Sequence, residues 1–500
     1  MRYVLGIDFG GGASKAVLLA EDGRIAAVNT VEYPTSYPQP GYAEQDPRDW
    51  YRAACRTIGE LLENSGADAS EIAAVALDAA THTAVLTDEN FQVLRPAVYW
   101  TDARSTQEVR FLREKYLDVI EREVLHQPDT IWTLPQLLWI REHEPDVWKK
   151  TRRILFAKDF VRHQLTGDHV TDVIEAQGSM FFDSSRMDWS ETLCGLLGSS
   201  TDPSMDPLMD PELLPKLVQP SDIAGEITPK AAKETGLRAG TPVLCGTTDT
   251  VMEVFASGAV SPGQMTIKLA TAGRICVVTD RAYPSRSLIN YSHIVPGLWY
   301  PGTATKSCAA SFRWFRDTFG GEFQALAEAA SEIAPGCEGL VYHPYLNGEL
   351  TPYADPKLCG SFVGVRAGHT KAHFTRAVFE GVAFSMLDCC RALEEIRIPH
   401  EETAVAIGGG AQSPVWRQIL ADALGMTLLQ KENTDSSLGS AMLAGTKAGL
   451  FPSLEEALKV CTKEVSRTFP DPERTELYAD LFRRYKKIQE ALEPIYHGEF

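Results

Sequence analysis

Short apolar stretches at residues 3–7, 14–20 and 25–32, the last two separated by the turn Glu21-Asp22-Gly23-Arg24, predict a β-meander at the start of the chain. Residues 50–65 then carry apolar positions at helical spacing. Strand character resumes at 71–77 and 83–87. Residues 134–144 predict a helix, with Pro135 in its first turn and Leu134, Leu137, Leu138 and Ile140 apolar, which makes Trp139 a core residue. Residues 184–219 are rich in Ser, Asp, Pro and Leu without a clean period and read as an irregular excursion of short helices. After residue 249 the pattern starts again, with strands at 265–269, 273–279, 340–344 and 404–408 and helices at 374–396, 414–424 and 438–447. A meander followed by alternating strands and helices, twice over, predicts two α/β domains, 1–256 and 257–500, with a cleft between them.

Composition narrows the class. At 500 residues the chain is too long for one ordinary core, and 44% hydrophobic against 23% charged residues is the balance of a globular protein. A net charge of -19 argues against nucleic-acid and anionic-membrane partners, which require clustered Lys and Arg. It leaves ATP open, because a nucleotide site needs only local donors. Asp8 interrupts the N-terminus before a signal-peptide core forms, and no later stretch is long enough to span a bilayer, so a cytoplasmic protein is expected. The ten cysteines show no Cys-x-x-Cys spacing and suggest neither a disulfide scaffold nor a structural zinc site.

Two carboxylates repeat one local pattern. Asp8 ends the run Tyr3-Val4-Leu5-Gly6-Ile7 and precedes Gly10-Gly11-Gly12, while Asp249 ends Pro242-Val243-Leu244-Cys245-Gly246-Thr247-Thr248. A carboxylate at a strand end beside glycines can face Mg²⁺ while backbone N–H groups face phosphate oxygens. Phosphoryl transfer to a hydroxyl needs a base, a metal on the phosphates, and donors around the transferred group. Asp249, ahead of the helical stretch 250–256, is the candidate base; the competing assignment is a plain helix N-cap. Asp8 is the outer metal ligand, with Lys15 near the phosphates. Thr271-Ala272-Gly273 offers a hydroxyl and N–H donors, and Gly408-Gly409-Gly410-Ala411-Gln412 permits close approach of a flat nucleoside, although a bare turn also explains it. A dinucleotide fingerprint fails, because Lys15 stands where Gly10-x-Gly12 needs its third glycine.

From end to end the chain resembles the FGGY carbohydrate kinases, and most closely their xylulokinase branch. The resemblance rests on Ile7-Asp8-Phe9-Gly10 with Lys15, Glu44-Gln45-Asp46-Pro47, Trp100-Thr101-Asp102-Ala103-Arg104, Thr133 to Trp139, Lys158-Asp159-Phe160, Leu165-Thr166-Gly167 and Asp188-Trp189-Ser190. In the second half it rests on Pro344 to Glu349, Thr351-Pro352, Arg376 to Val382, Gly408-Gly409-Gly410 and Leu438-Gly439-Ser440-Ala441. It implies two actin-like, ribonuclease-H-type domains with the active site in the interdomain cleft, the first binding sugar and the second ATP. The implied reaction is ATP-dependent phosphorylation of a sugar hydroxyl, D-xylulose giving D-xylulose 5-phosphate. Ribulose, another ketose, a polyol or gluconate is the alternative acceptor; a catalytically silent nucleotide-binding regulator would have lost Asp249.

Residue by residue, the resemblance implies Asp249 as catalytic base, Asp8 as the Mg²⁺ aspartate, and His82, Thr81, Trp100, Asp102, Asp249 and Thr250 on the sugar. For ATP it implies Gly11, Gly12, Lys15, Thr271, Gly273, Gly409, Gly410 and Gln412. The partners are a small sugar and ATP, with a homodimer as the assembly the family admits. Departures gather on the sugar side. Ala79-Ala80-Thr81-His82-Thr83 replaces Gly-Gln-Met-His-Gly, Thr250 a carboxamide, Gln136 a Lys and Leu350 an Arg, while Gly11-Gly12 replaces Thr-Ser in the phosphate loop.

Overall fold

The computed structural model describes residues 1–198 and 212–498, so that much of the 184–219 excursion lies outside the described residues. What is described of it holds the helix Glu191–Gly195 and the strand Lys216–Val218. The chain divides into two compact units. The first takes 1–258, 291–296 and 433–462; the second takes 259–290, 297–432 and 463–498.

Each unit is built on one mixed sheet. In the first the strand order is Ile25–Glu32, Ala13–Ala20, Tyr3–Phe9, Ile72–Ala79, Pro242–Leu244, Ile223–Glu226. The successive pairings are antiparallel, antiparallel, parallel, parallel and antiparallel. In the second the order is Gly302–Thr305, Gly273–Val277, Met265–Leu269, Thr403–Ile407, Thr427–Lys431, Glu464–Thr468, with the same sequence of pairings. The two sheets therefore repeat one plan, as the twice-started hydrophobic pattern predicts.

Local chemistry explains the element ends. Helix Pro47–Ser65 opens with Pro47 in its first turn and Asp46 accepting from Arg48 N, and closes at Gly66 in the left-handed region. The predicted 50–65 thus begins three residues late, because its capping turn carries no apolar period. The predicted strand 340–344 exists as Val341–His343, but it pairs with Ser361–Val363 in a separate ribbon rather than joining the main sheet. The predicted helix 438–447 is Ser436–Lys447, and it packs in the first unit against Tyr3–Phe9 and Ile72–Ala79. Its small residues Gly439, Ser440, Ala441 and Ala444 let backbone approach backbone on more than one side. A Cβ on Gly6 would lie 2.0 Å from Ser437 O and 2.4 Å from Ala441 N, and one on Gly439 would lie 2.6 Å from Met252 O.

Candidate active site

In the first unit the parallel register aligns Asp8 with Asp78, and Asp78 with Thr247 on the short strand Thr247–Thr248. Thr248 Oγ1 accepts from Val251 N and is the N-cap of helix Asp249–Ala256, so Asp249 is the helix's first residue and not its cap. The helix's positive end therefore lies on the side of the Asp249 carboxylate. Thr250 Oγ1 donates to Asp249 Oδ1 at 3.2 Å.

A buried ionic network holds the strand that delivers Asp249. Thr247 Oγ1 donates to Asp172 Oδ1 at 2.7 Å, Asp172 Oδ2 pairs with Lys158 at 2.9 Å, and Arg162 Nη1 donates to Cys245 O at 2.7 Å. Lys158, Asp159, Arg162 and Asp172 are fully buried. Burial alone would discharge Lys158, but Asp159 and Asp172 outweigh it and raise its pKa. Burial likewise pushes Asp159 up, and Lys158 and Arg162 pull it below the ordinary carboxylate range. A buried pair broken on one side leaves an uncompensated charge, so this network fixes the backbone around residues 245–249 firmly.

Asp8, Asp249, Tyr33 and Tyr99 share one electrostatic neighbourhood. Burial raises both tyrosine hydroxyl pKa values, and the negative charges of Asp8 and Asp249 raise them further. Tyr33 donates its hydroxyl proton to Gly10 O, and Gln45 Nε2 donates to Gly11 O at 2.9 Å. In a trans peptide the N–H points opposite to the C=O. Tying down those two carbonyls therefore turns the Gly11 and Gly12 N–H groups the other way, on residues that are exposed. Outward backbone N–H groups of this kind can receive an anion, here without the hydroxyls of the Thr-Ser that Gly11-Gly12 replaces. Lys15 stands opposite Asp8 in the antiparallel register, and its ammonium pairs with Asp435.

The sugar-side residues are placed unevenly. His82 has φ +73°, a strained conformation for a residue with a Cβ, and is buried. Its Nδ1 lies 3.0 Å from Gly178 O, a group that only accepts, so Nδ1 carries the proton and Nε2 accepts from Thr81 Oγ1 at 2.7 Å. Trp132 and Tyr291 flank the ring, with centroids 4.5 Å and 6.4 Å away. Thr81 is half-buried beside it. Asp102 accepts from Ala43 N at 2.6 Å and from Arg104 at 2.9 and 2.8 Å, which makes it the anchor of the 41–45 segment. Trp100 packs on the small cluster of Ala43, Ala80 and Tyr99.

The second unit holds the remaining candidates. Thr271 Oγ1 accepts from Arg313 Nη2 at 3.3 Å, and Thr271 O accepts from Cys308 N and Ala310 N at the start of helix Ala309–Phe319. A Cβ on Gly273 would lie 2.6 Å from both Met386 Sδ and Thr305 Cγ2. Gly409–Gln412 forms a single 3₁₀ turn between strand Thr403–Ile407 and helix Pro414–Leu424. A Cβ on Gly409 would meet nothing within 4 Å, whereas one on Gly410 would lie 3.0 Å from Leu269. Gln412 pairs with Gln430 at 2.7 Å.

Among the buried acids to which the sequence assigns no role are Asp78 and Glu349. Asp78 is fully buried and accepts from Ser440 Oγ; burial, then the neighbouring Asp8, raises its pKa well above the ordinary value. Its signal is an acid inside the apolar run 72–79 at the rung that faces Asp8. Glu349, in the second unit, accepts from Leu350 N, Lys306 N and Thr305 Oγ1 at 2.7, 2.9 and 2.6 Å, and burial pushes its pKa up to about 7. Because the folded pKa exceeds the unfolded one, the folded state binds the extra proton; Glu349's own contribution to stability is fully present below about pH 4.5 and is lost as pH rises through about 7. Glu349→Gln keeps the shape and the acceptor. It is expected to flatten the pH dependence of unfolding between pH 5 and 8 by up to about 3 kcal/mol. Parallel denaturant titrations of the two proteins test this, and equal pH slopes would rule it out.

The comparisons bear on the whole chain. Residues 3–256 match the FGGY family of carbohydrate kinases, N-terminal domain, and residues 244–448 match its C-terminal domain. The chain is 33% identical over 497 residues to a xylulose kinase of Bacillus subtilis, covering 98% of this chain and 97% of the relative. It is 30% identical to a xylulose kinase of Escherichia coli, covering 98% and 99%. The crystal structure of a xylulose kinase from Rhodospirillum rubrum superposes with a TM-score of 0.88 at 27% identity, covering 99% of this chain and all of that one. With a family model on each half, relatives at this identity over nearly full length, and the doubled sheet plan described above, the chain belongs to the FGGY family of carbohydrate kinases.

Proposed function

We propose that the chain transfers the γ-phosphoryl group of ATP to D-xylulose, forming D-xylulose 5-phosphate in the cytoplasm. The observation that carries the proposal is Asp249 at the positive end of a helix, in one electrostatic neighbourhood with Asp8 and the Gly10–Gly12 turn. Asp249 orients the attacking hydroxyl and takes its proton as the bond to phosphorus forms. The outward N–H groups of Gly11 and Gly12 receive phosphate oxygens. In the second unit, Thr271 and Gly273 serve the phosphates, and Gly409, Gly410 and Gln412 the nucleoside. The names of the Bacillus subtilis and Escherichia coli relatives support the ketose.

Mg²⁺ fits the donors present. Asp8 offers hard oxygen ligands, its Oδ2 lying on the side of Gly10, 3.5 Å from where a Cβ would stand there, and in this reading it would hold the cation through water, as Mg²⁺ usually keeps several of its waters. The bound cation would offset charge on the β- and γ-phosphates. Asp8→Ala is expected to lower kcat/KM for Mg·ATP by roughly 10²-fold while leaving sugar affinity unchanged in calorimetry. Loss of sugar binding with an unaltered metal dependence would reverse the assignment.

Selectivity is expected to be broader than a carboxamide beside the base would give. Ala79, Ala80 and Thr250 are small, and Thr250 already spends its hydroxyl proton on Asp249. A site without a buried polar group awaiting a substrate hydroxyl does not penalise a substrate that lacks it. An ADP-release assay over ketoses, polyols and aldonates tests the proposal, with Thr250→Asn beside the natural chain. We expect D-xylulose to lead, D-ribulose to be turned over, and the variant to widen the gap. A polyol or aldonate with the highest kcat/KM would overturn the acceptor.

A further inference from the structure

Helix Lys371–Glu395 places Cys390 and Glu394 four residues apart, on one face of its last turns. The helix then ends abruptly. Arg397 N donates to Glu394 O at 2.8 Å, Ile398 N donates to Leu393 O at 3.1 Å, and Arg397 sits at φ +61°, so the chain folds back on itself. The reversal brings His400 to the same face. One ligand atom each from Cys390, Glu394 and His400 lies within 4.8 Å of the other two. His400 Nδ1 lies 3.0 Å from Glu401 O, an acceptor only, so Nδ1 carries the ring proton and Nε2 presents its lone pair. A metal-binding histidine is oriented in this way, by donating its other N–H to a backbone carbonyl.

We propose that Cys390, Glu394 and His400 form a binding site for a zinc-class divalent cation, separate from the Mg·ATP site and outside the catalytic machinery. A sulfur, an imidazole nitrogen and a carboxylate oxygen suit Zn²⁺ and its analogue Co²⁺; Mg²⁺ and Ca²⁺ require oxygen throughout. Three protein ligands leave a fourth position to water. Coordination needs the three atoms to draw closer than 4.8 Å. The movable members allow this, since Glu394 is exposed and His400 half-exposed, while Cys390 is fixed in the core at 2% exposure. Glu394 also holds Arg391 at 2.7 Å, an exposed pair that a cation would weaken at little cost. Binding breaks the Cys390 S–H bond and forms a sulfur–metal bond, and the proton passes to solvent. Burial and the nearby Glu394 push the free thiol up to about 12, so without a cation it stays protonated and inert.

The site has a mechanical consequence for this kinase. His400 lies three residues ahead of strand Thr403–Ile407, which runs directly into Gly408 at the start of the glycine turn. A cation would clip the start of that strand to the helix it follows.

The test is a Co²⁺ titration of the full chain after dialysis against a chelator, read by absorption. We expect one equivalent to bind with a thiolate-to-cobalt charge-transfer band. Cys390→Ser should abolish the band, and His400→Ala should weaken Co²⁺ binding at least roughly 10-fold. Zn²⁺ should raise the Tm of the natural chain and leave those of both variants unmoved. Sugar phosphorylation with excess Mg·ATP should be equal in all three. Cys359→Ser, at an exposed thiol outside the cluster, should behave as the natural chain. Absence of the band, or a band and thermal shift that persist in both Cys390→Ser and His400→Ala, would overturn the site.

Discussion

Asp249→Asn is expected to lower kcat by roughly 10²-fold or more, with ATP binding retained. The substitution is nearly isosteric. Its amide keeps the Oδ1 acceptor for Thr250, and Thr248 rather than Asp249 caps the helix, so neither the cap nor the 245–249 backbone loses a partner. What disappears is the proton acceptor and its negative charge beside the positive helix end. The loss should therefore fall on kcat with little change in the KM for either substrate, as expected for an interaction used in the transition state. Steady-state kinetics on both substrates, with nucleotide binding by calorimetry, checks this. Near-natural turnover would show that Asp249 is not the base. Loss of nucleotide binding along with turnover would show that it acts instead through the phosphates.

How much of this site was legible in the sequence depended on the distance over which each part is specified. Asp8, Asp249 and the glycine turns are encoded by neighbours within ten residues, as a carboxylate at the end of an apolar run that opens into small residues. The repeated sheet plan was legible for the same reason, because strands 3–9, 13–20 and 265–269 each have a local period of their own. The sugar side was not. The His82 ring is held by Gly178, 96 residues away, and faces Tyr291, 209 residues away, and neither pairing leaves a mark near residue 82. Asp78 was missed because one acid in an apolar run looks like an ordinary strand position until the register places it beside Asp8. The return of 433–462 to the first unit was equally hidden. A helical period shows that a helix exists, not which sheet it covers, and only the small residues of 439–445 hint at a close backbone approach.

That close approach is the basis of the largest expected effect on stability. Gly6→Ala adds a single methyl group in the middle of strand Tyr3–Phe9, with a backbone conformation that alanine adopts readily. The obstacle lies entirely across the gap. The new Cβ would stand 2.0 Å from Ser437 O, 2.4 Å from Ala441 N and 2.9 Å from Ala441 Cβ, and the first two are backbone atoms that no rotamer change can move. Helix Ser436–Lys447 would have to retreat by more than an ångström to restore van der Waals contact. It would then withdraw Ser440 from Asp78 and leave a buried carboxyl short of a donor. Overpacking of this kind costs about 1–3 kcal/mol, and the lost buried hydrogen bond about 1–3 kcal/mol more. Gly6→Ala is therefore expected to destabilise the first unit by about 2–6 kcal/mol, a large fraction of the stability of a typical domain. Ser440→Ala, which removes the hydroxyl without moving the helix, should cost only the second part. Urea unfolding of both variants against the natural chain separates the two contributions. A Gly6→Ala protein as stable as the natural one would mean that this helix does not pack on the strand.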